Sequence, residues 1–249
     1  MTLLNKDIFV CLDIEATGLD PSNDRIVEIA IVKFTFDKVL ETFSTLIDPE
    51  VEIPKPSQII HNISDDMVKG KPKIKEVLPD ILKFINSHII MGHGIKFDID
   101  IVYAATKRDQ IPCKIYNATY IDTLRLARLY GESPSNSLKE LSKHFNIDLE
   151  GAHRALNDVK ANIEVFKKLS TPFTTTNQML KRLEKPIALK KMPLGKHKGR
   201  PFSEIPIEYL RWAAGKDFDQ DLLFSIRLAI NTRKKKTTFE TASNPFSSL

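Results

Sequence analysis

The chain has 249 residues, a formal net charge of +5 and a sequence pI of about 9.0, with 42% hydrophobic and 28% charged residues. That balance is ordinary for a water-soluble globular protein; no apolar run reaches membrane-spanning length, and the start MTLLNKDIFV lacks the pattern of a secretion signal. The cationic excess favours an anionic partner such as nucleic acid, and two cysteines, Cys11 and Cys113, outside any CxxC pair, suit a reduced cytoplasmic protein without disulfides or a zinc–thiolate site.

Residues 8–12, IFVCL, form an apolar run that predicts a buried central strand, bounded by Gly18. Asp13 and Glu15 follow it, two residues apart. Strand geometry puts both carboxylates on one side of the strand's end. Two anions so placed repel each other and lose hydration, and the usual compensation for paired hard oxygens is a divalent cation such as Mg²⁺ or Mn²⁺.

Turn formers fill Leu19 to Asp24. Residues 25–36, RIVEIAIVKFTF, predict a half-exposed strand, Asp37-Lys38 a reversal, and Val39 to Ile47 a third strand, giving an antiparallel meander. Pro49, Pro54 and Pro56 predict an extended loop, and Ser64 with Asp65 and Asp66 a helix start. A helix is expected from about Ile74 to Asn86, with Val77, Ile81, Phe84 and Ile85 on its apolar face. Residues 88–92 read as a short strand, and Asp98 falls in the first turn of a helix to about Arg108. Asp122 or Thr123 caps a short helix, and Asn136 or Ser137 the next. Gly151 precedes a helix to about Leu169, whose stripe is Leu156, Val159, Ile163 and Phe166. Strands followed by strand–helix alternation imply an α/β domain with a mixed sheet over residues 1–170.

Residues 171–191, rich in Thr, Lys and Pro, read as a linker. A small, basic, mostly helical unit is expected over 192–231, with a basic turn at Lys196 to Arg200, Tyr209 and Trp212 in its core, and helices from Pro206 and from Gln220 to Ile230. Residues 232–249, opening with Arg233-Lys234-Lys235-Lys236 and then rich in Ser and Thr, are expected to be disordered.

Four carboxylates and one imidazole carry the chemistry: Asp13, Glu15, Asp98, Asp158 and His153. A phosphodiester is anionic, and its displacement needs charge neutralisation by metal ions held on carboxylates from several elements. It also needs a base near neutral pH, the role suited to histidine. His153 and Asp158 are five apart. On one continuous helix they would diverge by about 140°, from the ~100° step per residue. They converge only if His153 lies before the helix, which Gly151 permits.

In its ordered motifs the chain resembles the DEDDh, or DnaQ-like, exonucleases, the family of the proofreading epsilon subunit of bacterial DNA polymerase III. The matching segments are Asp13-Ile14-Glu15-Ala16-Thr17-Gly18-Leu19, Ile60-His61-Asn62-Ile63, Gly92-His93 with Phe97-Asp98, Ile121-Asp122-Thr123-Leu124 and His153-Arg154-Ala155-Leu156-Asn157-Asp158. They cover about residues 6–170. The resemblance implies an RNase H-like five-stranded mixed sheet flanked by helices, two Mg²⁺ or Mn²⁺ ions, and 3′→5′ release of nucleoside monophosphates from DNA 3′ ends. It implies that Asp13 bridges both ions, that Glu15 and Asp158 hold the ion on the attacking water's side, that Asp98 holds the other, and that His153 is the general base. Ala16, Thr17, Gly18, Leu19, His61 and Phe97 would meet the terminal nucleotide. An RNA exonuclease and a non-catalytic nucleic-acid-binding or tethering protein are the alternative readings. One departure is Gly94, where the family often carries Asn. His93 is expected to be structural and Asp122 a helix cap. Gln220-Asp221-Leu222-Leu223-Phe224 resembles a sliding-clamp docking peptide, although the same residues suit a packed helix face. Partners implied are a DNA 3′ end and, further out, a polymerase III catalytic subunit or sliding clamp, with no membrane.

Overall fold

Five strands form one sheet in the order β3-β2-β1-β4-β5, where β1 is Phe9–Ala16, β2 Ile26–Phe34, β3 Val39–Leu46, β4 Ile89–Gly92 and β5 Tyr120–Asp122. The computed structural model describes residues 3–130, 133, 135–148 and 154–242. The first three strands are antiparallel neighbours, as the meander predicts, and β4 and β5 add in parallel beyond β1. The helices of the first unit are α1 Lys55–His61, α2 Asp65–Val68, α3 Ile74–Ile85, α4 Lys96–Arg108, α5 Thr123–Tyr130, α6 Leu138–His144, α7 Ala155–Leu169 and α8 Thr176–Glu184.

The strand β1 separates two packing layers by simple alternation. Val10, Leu12 and Ile14 join the core that contains Leu78, Ile81 and Ile85 of α3 and Ile99 and Val102 of α4. Phe9 and Cys11 face α7: the Phe9 and Phe166 rings lie 5.2 Å apart, and the Cys11 Sγ–H points at the Val159 carbonyl. Covering on both faces explains a departure from expectation. β2 is not half-exposed; every residue but Lys33 is buried. Lys33 escapes by carrying its ammonium over the Phe84 ring to Glu41. The third strand is the exposed edge.

Three stretches read as irregular are helical. Pro54 and Pro56 do not mark an extended loop but flank the start of α1, where a missing N–H costs nothing. The supposed linker contains α8, with Met179 and Leu183 buried. It is tied to the first unit by Thr174, whose carbonyl accepts from the Leu4 N–H, by Thr176, which donates to Asp7, and by Arg125, which donates to the Leu183 carbonyl. The division into two units therefore falls at Leu183/Glu184.

The second unit has its own core of Met192, Phe202, Ile205, Leu210, Ala213, Leu222 and Ile226, drawn from α9 (Ile207–Ala213) and α10 (Gln220–Ala242) among others. The helix α10 runs on through residues expected to be disordered; residues 243–249 lie outside the described residues. Trp212 is not core but 54% exposed. Leu222, in the peptide likened to a clamp-docking motif, is fully buried.

Candidate active site

Asp13 and Glu15 lie in the C-terminal half of β1, as expected, on the face that carries Phe9 and Cys11. Opposite them runs the row Asp158, Asn162, Phe166 of α7. Two steps match along this contact. Residues four apart on a helix advance ~6 Å, and residues two apart on a strand advance ~6.6 Å. Phe166 meets Phe9 and Asn162 meets Cys11, with Asn162 Nδ2 donating to Sγ at 3.7 Å. The next step brings Asp158 to Asp13 and Glu15. One carboxylate oxygen from each of the three lies within 4.8 Å of the others. Asp158 thus continues the row of α7 that faces β1; Leu156, assigned to the stripe, is only half-buried.

Asp98 comes from the first turn of α4 and is 6% exposed. It is outside that trio, yet its charge is the largest acting on Asp13. Burial, then Asp98, Asp158 and Glu15 together push the Asp13 carboxyl far above the usual carboxylate range. Burial and Asp158 raise Glu15 to about 8. Asp98 is raised chiefly by burial, against the pull of backbone N–H groups including that of Ile14. Three acids that resist ionisation, with Asp158 beside two of them, make a cluster short of positive charge. Hard oxygen donors in that state fit a divalent cation.

Neighbouring side chains brace this cluster. Glu28, the cross-strand partner of Glu15, is 3% exposed. It accepts from Arg154 Nε at 3.1 and 3.2 Å, from Nη2 at 2.7 Å and from the Ala155 N–H at 3.1 Å. Sequence reasoning missed this pairing; its signal was a lone Glu inside the apolar run IVEIAIV, since a buried charge requires a partner. His153, the expected base, lies outside the described residues, but Arg154 next to it is anchored.

Asp122 is the helix cap expected of it. Its Oδ1 accepts from the N–H groups of Leu124 and Gly94, both at 2.9 Å. Gly94 has φ +74°, a left-handed conformation that Gly adopts freely and Asn tolerates. Gly94 thus suits this backbone, as Asn would. His93 is structural, as expected: Nδ1 lies 3.1 Å from the Thr123 hydroxyl, which donates to Asn162 Oδ1 at 2.7 Å. Burial holds His93 neutral, with its pKa down at about 4.

The loop after β1 is built on Asp24, which sequence reasoning also missed. Thr17 Oγ1 donates to Asp24 Oδ1 at 2.8 Å, and a Cβ on Gly18 would sit 2.5 Å from Asp24 Oδ2. Only glycine fits there without displacing that carboxylate. Leu19 stands 88% exposed, whereas Ala16 and Phe97 are half-buried. His61 is 1% exposed, and its Nδ1 accepts from the Ile63 N–H at 3.0 Å. Its ring therefore supports the backbone instead of presenting itself at the surface.

The sequence profile of a family described as "Exonuclease" (RNase_T) matches residues 10–166. The chain belongs to this DnaQ-like exonuclease family. The DNA polymerase III subunit epsilon of Aquifex aeolicus is 35% identical over 162 residues, which cover 65% of this chain and 79% of that one. A PolC-type DNA polymerase III of Clostridium perfringens is 36% identical over 163 residues, 65% of this chain. The match spans only 11% of that polymerase. Among solved structures, exonuclease X in complex with 5′ overhanging duplex DNA aligns with a TM-score of 0.54 at 26% identity, covering 70% of this chain and 98% of that one. Escherichia coli exonuclease I with a dA16 oligonucleotide aligns with a TM-score of 0.60 at 20% identity over 72% of this chain and 43% of that one, a likeness of fold. The sheet and its flanking helices are the RNase H-like arrangement of this family. Residues 179–230 are similar to a family described as "Putative quorum-sensing-regulated virulence factor".

Proposed function

We propose that the first unit is a metal-dependent 3′→5′ exonuclease that removes nucleoside monophosphates from DNA 3′ ends, in proofreading or repair. The observation that carries this reading is the trio Asp13, Glu15 and Asp158 within 4.8 Å, with the charge of Asp98 also acting on Asp13. Two Mg²⁺ or Mn²⁺ ions held there would neutralise the phosphodiester and stabilise the attacking and leaving oxygens. Asp13, Glu15, Asp158 and Asp98 would hold them.

The chain's own groups then do the rest. His153 takes a proton from the attacking water as its oxygen bonds to phosphorus and the P–O3′ bond of the penultimate nucleotide breaks. The products are a nucleoside 5′-monophosphate and a shortened strand whose leaving 3′-oxygen takes a proton from solvent to become a hydroxyl. The turn Ala16-Thr17-Gly18-Leu19, fixed from below by Asp24, and Phe97 receive the terminal nucleotide. Leu19, the most exposed large apolar side chain beside the site, offers a surface for its base. The kinship to an epsilon subunit supports service beside a polymerase in the cytoplasm, where the two free cysteines stay reduced. Among the described residues no helix is long and apolar enough to cross a membrane.

The test is incubation with 5′-labelled single-stranded DNA or RNA in Mg²⁺, Mn²⁺ or EDTA. A ladder on DNA with either ion and none in EDTA is expected. His153→Ala should slow it by about 10²–10⁴-fold, the usual weight of a general base. A ladder on RNA alone would overturn the substrate, and no ladder with either ion would overturn the nuclease.

A further inference from the structure

The net charge of this chain is not shared between its two units. Residues 184–249 carry 13 Lys and Arg against 7 Asp and Glu, a net +6, whereas residues 1–183 carry 24 against 25, a net −1. The smaller unit therefore holds the whole cationic excess. Part of it gathers around exposed aromatic surface. On α9, Leu210 and Ala213 face the unit's core, and Trp212 lies off that face, 54% exposed. Its ring lies 5.2 Å from that of Tyr209, which stands against the buried His197 ring at 4.5 Å. Lys216 Nζ sits 4.8 Å from the Trp212 ring centroid, and Lys196 Nζ 5.2 Å from that of Tyr209. Lys198, Arg200 and Arg211 are exposed near them in the chain. Among the described residues none of these five cations forms an ion pair.

A cationic surface alone attracts any polyanion. An exposed indole propped on a second ring and flanked by unpaired ammonium groups is more selective, because bases stack on it while the cations track phosphates. We propose that the second unit binds single-stranded nucleic acid through Trp212, Tyr209, Lys196 and Lys216, independently of the exonuclease centre. Duplex ends and anionic membranes share the charge complementarity but offer no unpaired base to the indole.

Fluorescence anisotropy of the full chain with labelled (dT)20 in EDTA tests this without any cleavage, so its outcome is separate from that of the nuclease assay. Trp212→Ala should weaken binding about 10-fold, within the range for one stacked base, and Trp212→Phe should restore most of it. The pair Lys196→Glu/Lys216→Glu should weaken binding and lower the slope of log affinity against log salt by roughly 0.7 for each phosphate the lysines no longer neutralise. Trp212 is exposed, so unchanged melting temperatures are expected and establish that folding is intact. Wild-type affinity and salt slope in these variants would overturn the proposal. Equal competition by blunt duplex DNA would overturn the stacking. Loss of binding to phosphatidylserine vesicles with (dT)20 binding unaffected would assign the surface to membranes instead.

Discussion

Arg154 and Glu28, 126 residues apart, meet in a forked ion pair that ties the start of α7 to the strand beside Glu15. The Glu28 side chain is almost wholly buried and that of Arg154 is 43% exposed. Removing the cation strands a carboxylate in the core, beside acids already crowded together. Arg154→Met alone should therefore destabilise the fold by about 3 kcal/mol, the low end for a broken buried pair, and Glu28→Gln, which leaves only a partly solvated guanidinium, by less. Turnover should fall roughly 10- to 100-fold, the scale of lost outer-sphere support, with KM little changed. The double variant should recover much of the stability but not the turnover. Urea denaturation and steady-state kinetics on all four proteins check both; additive stability losses would contradict a direct pairing.

Glu15 sets a pH dependence. Its pKa rises from the ordinary 4.5 to about 8 on folding, so between those values the folded chain binds more protons than the unfolded one. Its contribution to stability is present below about pH 4.5 and is lost as the pH climbs toward 8. A cation takes the place of those protons. Magnesium should thus raise the melting temperature more at about pH 8 than at about pH 6, because protons compete for the carboxylate at the lower pH. Thermal melts with and without Mg²⁺ read this directly, and an ion effect that shrinks with rising pH would contradict it.

Thr123 links three elements through one hydroxyl. It donates to the buried Asn162 on α7 and lies beside His93 after β4. Thr123→Val keeps the shape and leaves Asn162 Oδ1 without its donor. The expected loss is about 1–3 kcal/mol, the cost of an unsatisfied buried polar group. Amide exchange should quicken in the first turn of α5 and around Asn162 in the middle of α7. A stability equal to wild type would mean that the hydrogen bond is neutral.

The α8 helix makes the position of a truncation matter. Ending the chain after Ser170 deletes the buried Met179 and Leu183, and a loss of at least ~3 kcal/mol is expected from core side chains of that size. Ending it after Glu184 should leave the melting temperature of the first unit nearly unchanged. Equal melting temperatures for the two truncations would show that α8 does not support the first unit.

The sheet, its meander and three of the acids were legible because local patterns encode them. Alternation along β1 already aligned Asp13 with Glu15, and the first turn of α4 already held Asp98. What escaped were facts of long range or of disguise. Glu28 and Arg154 are meaningful only as a pair, and nothing near either names the other. Met179 and Leu183 are spaced for one helix face, but Thr, Lys and Pro around them mimic a linker. Asp24 looked like one more turn former, though its carboxylate fills the space that Gly18 leaves open. Trp212 looked like core because a large aromatic usually is; its place off the Leu210–Ala213 face is a matter of rotation along α9.

The matched steps of α7 and β1 also work as a vernier, and a vernier tolerates no slip. One residue inserted between Asp158 and Asn162 would swing the aspartate ~100° around the helix axis and lift it from its partners, even if every side chain were kept. The same insertion in the exposed turn between β2 and β3, at the far edge of the sheet, would leave the alignment alone. Length, in this chain, is fixed along one helix and free along its outer hairpin.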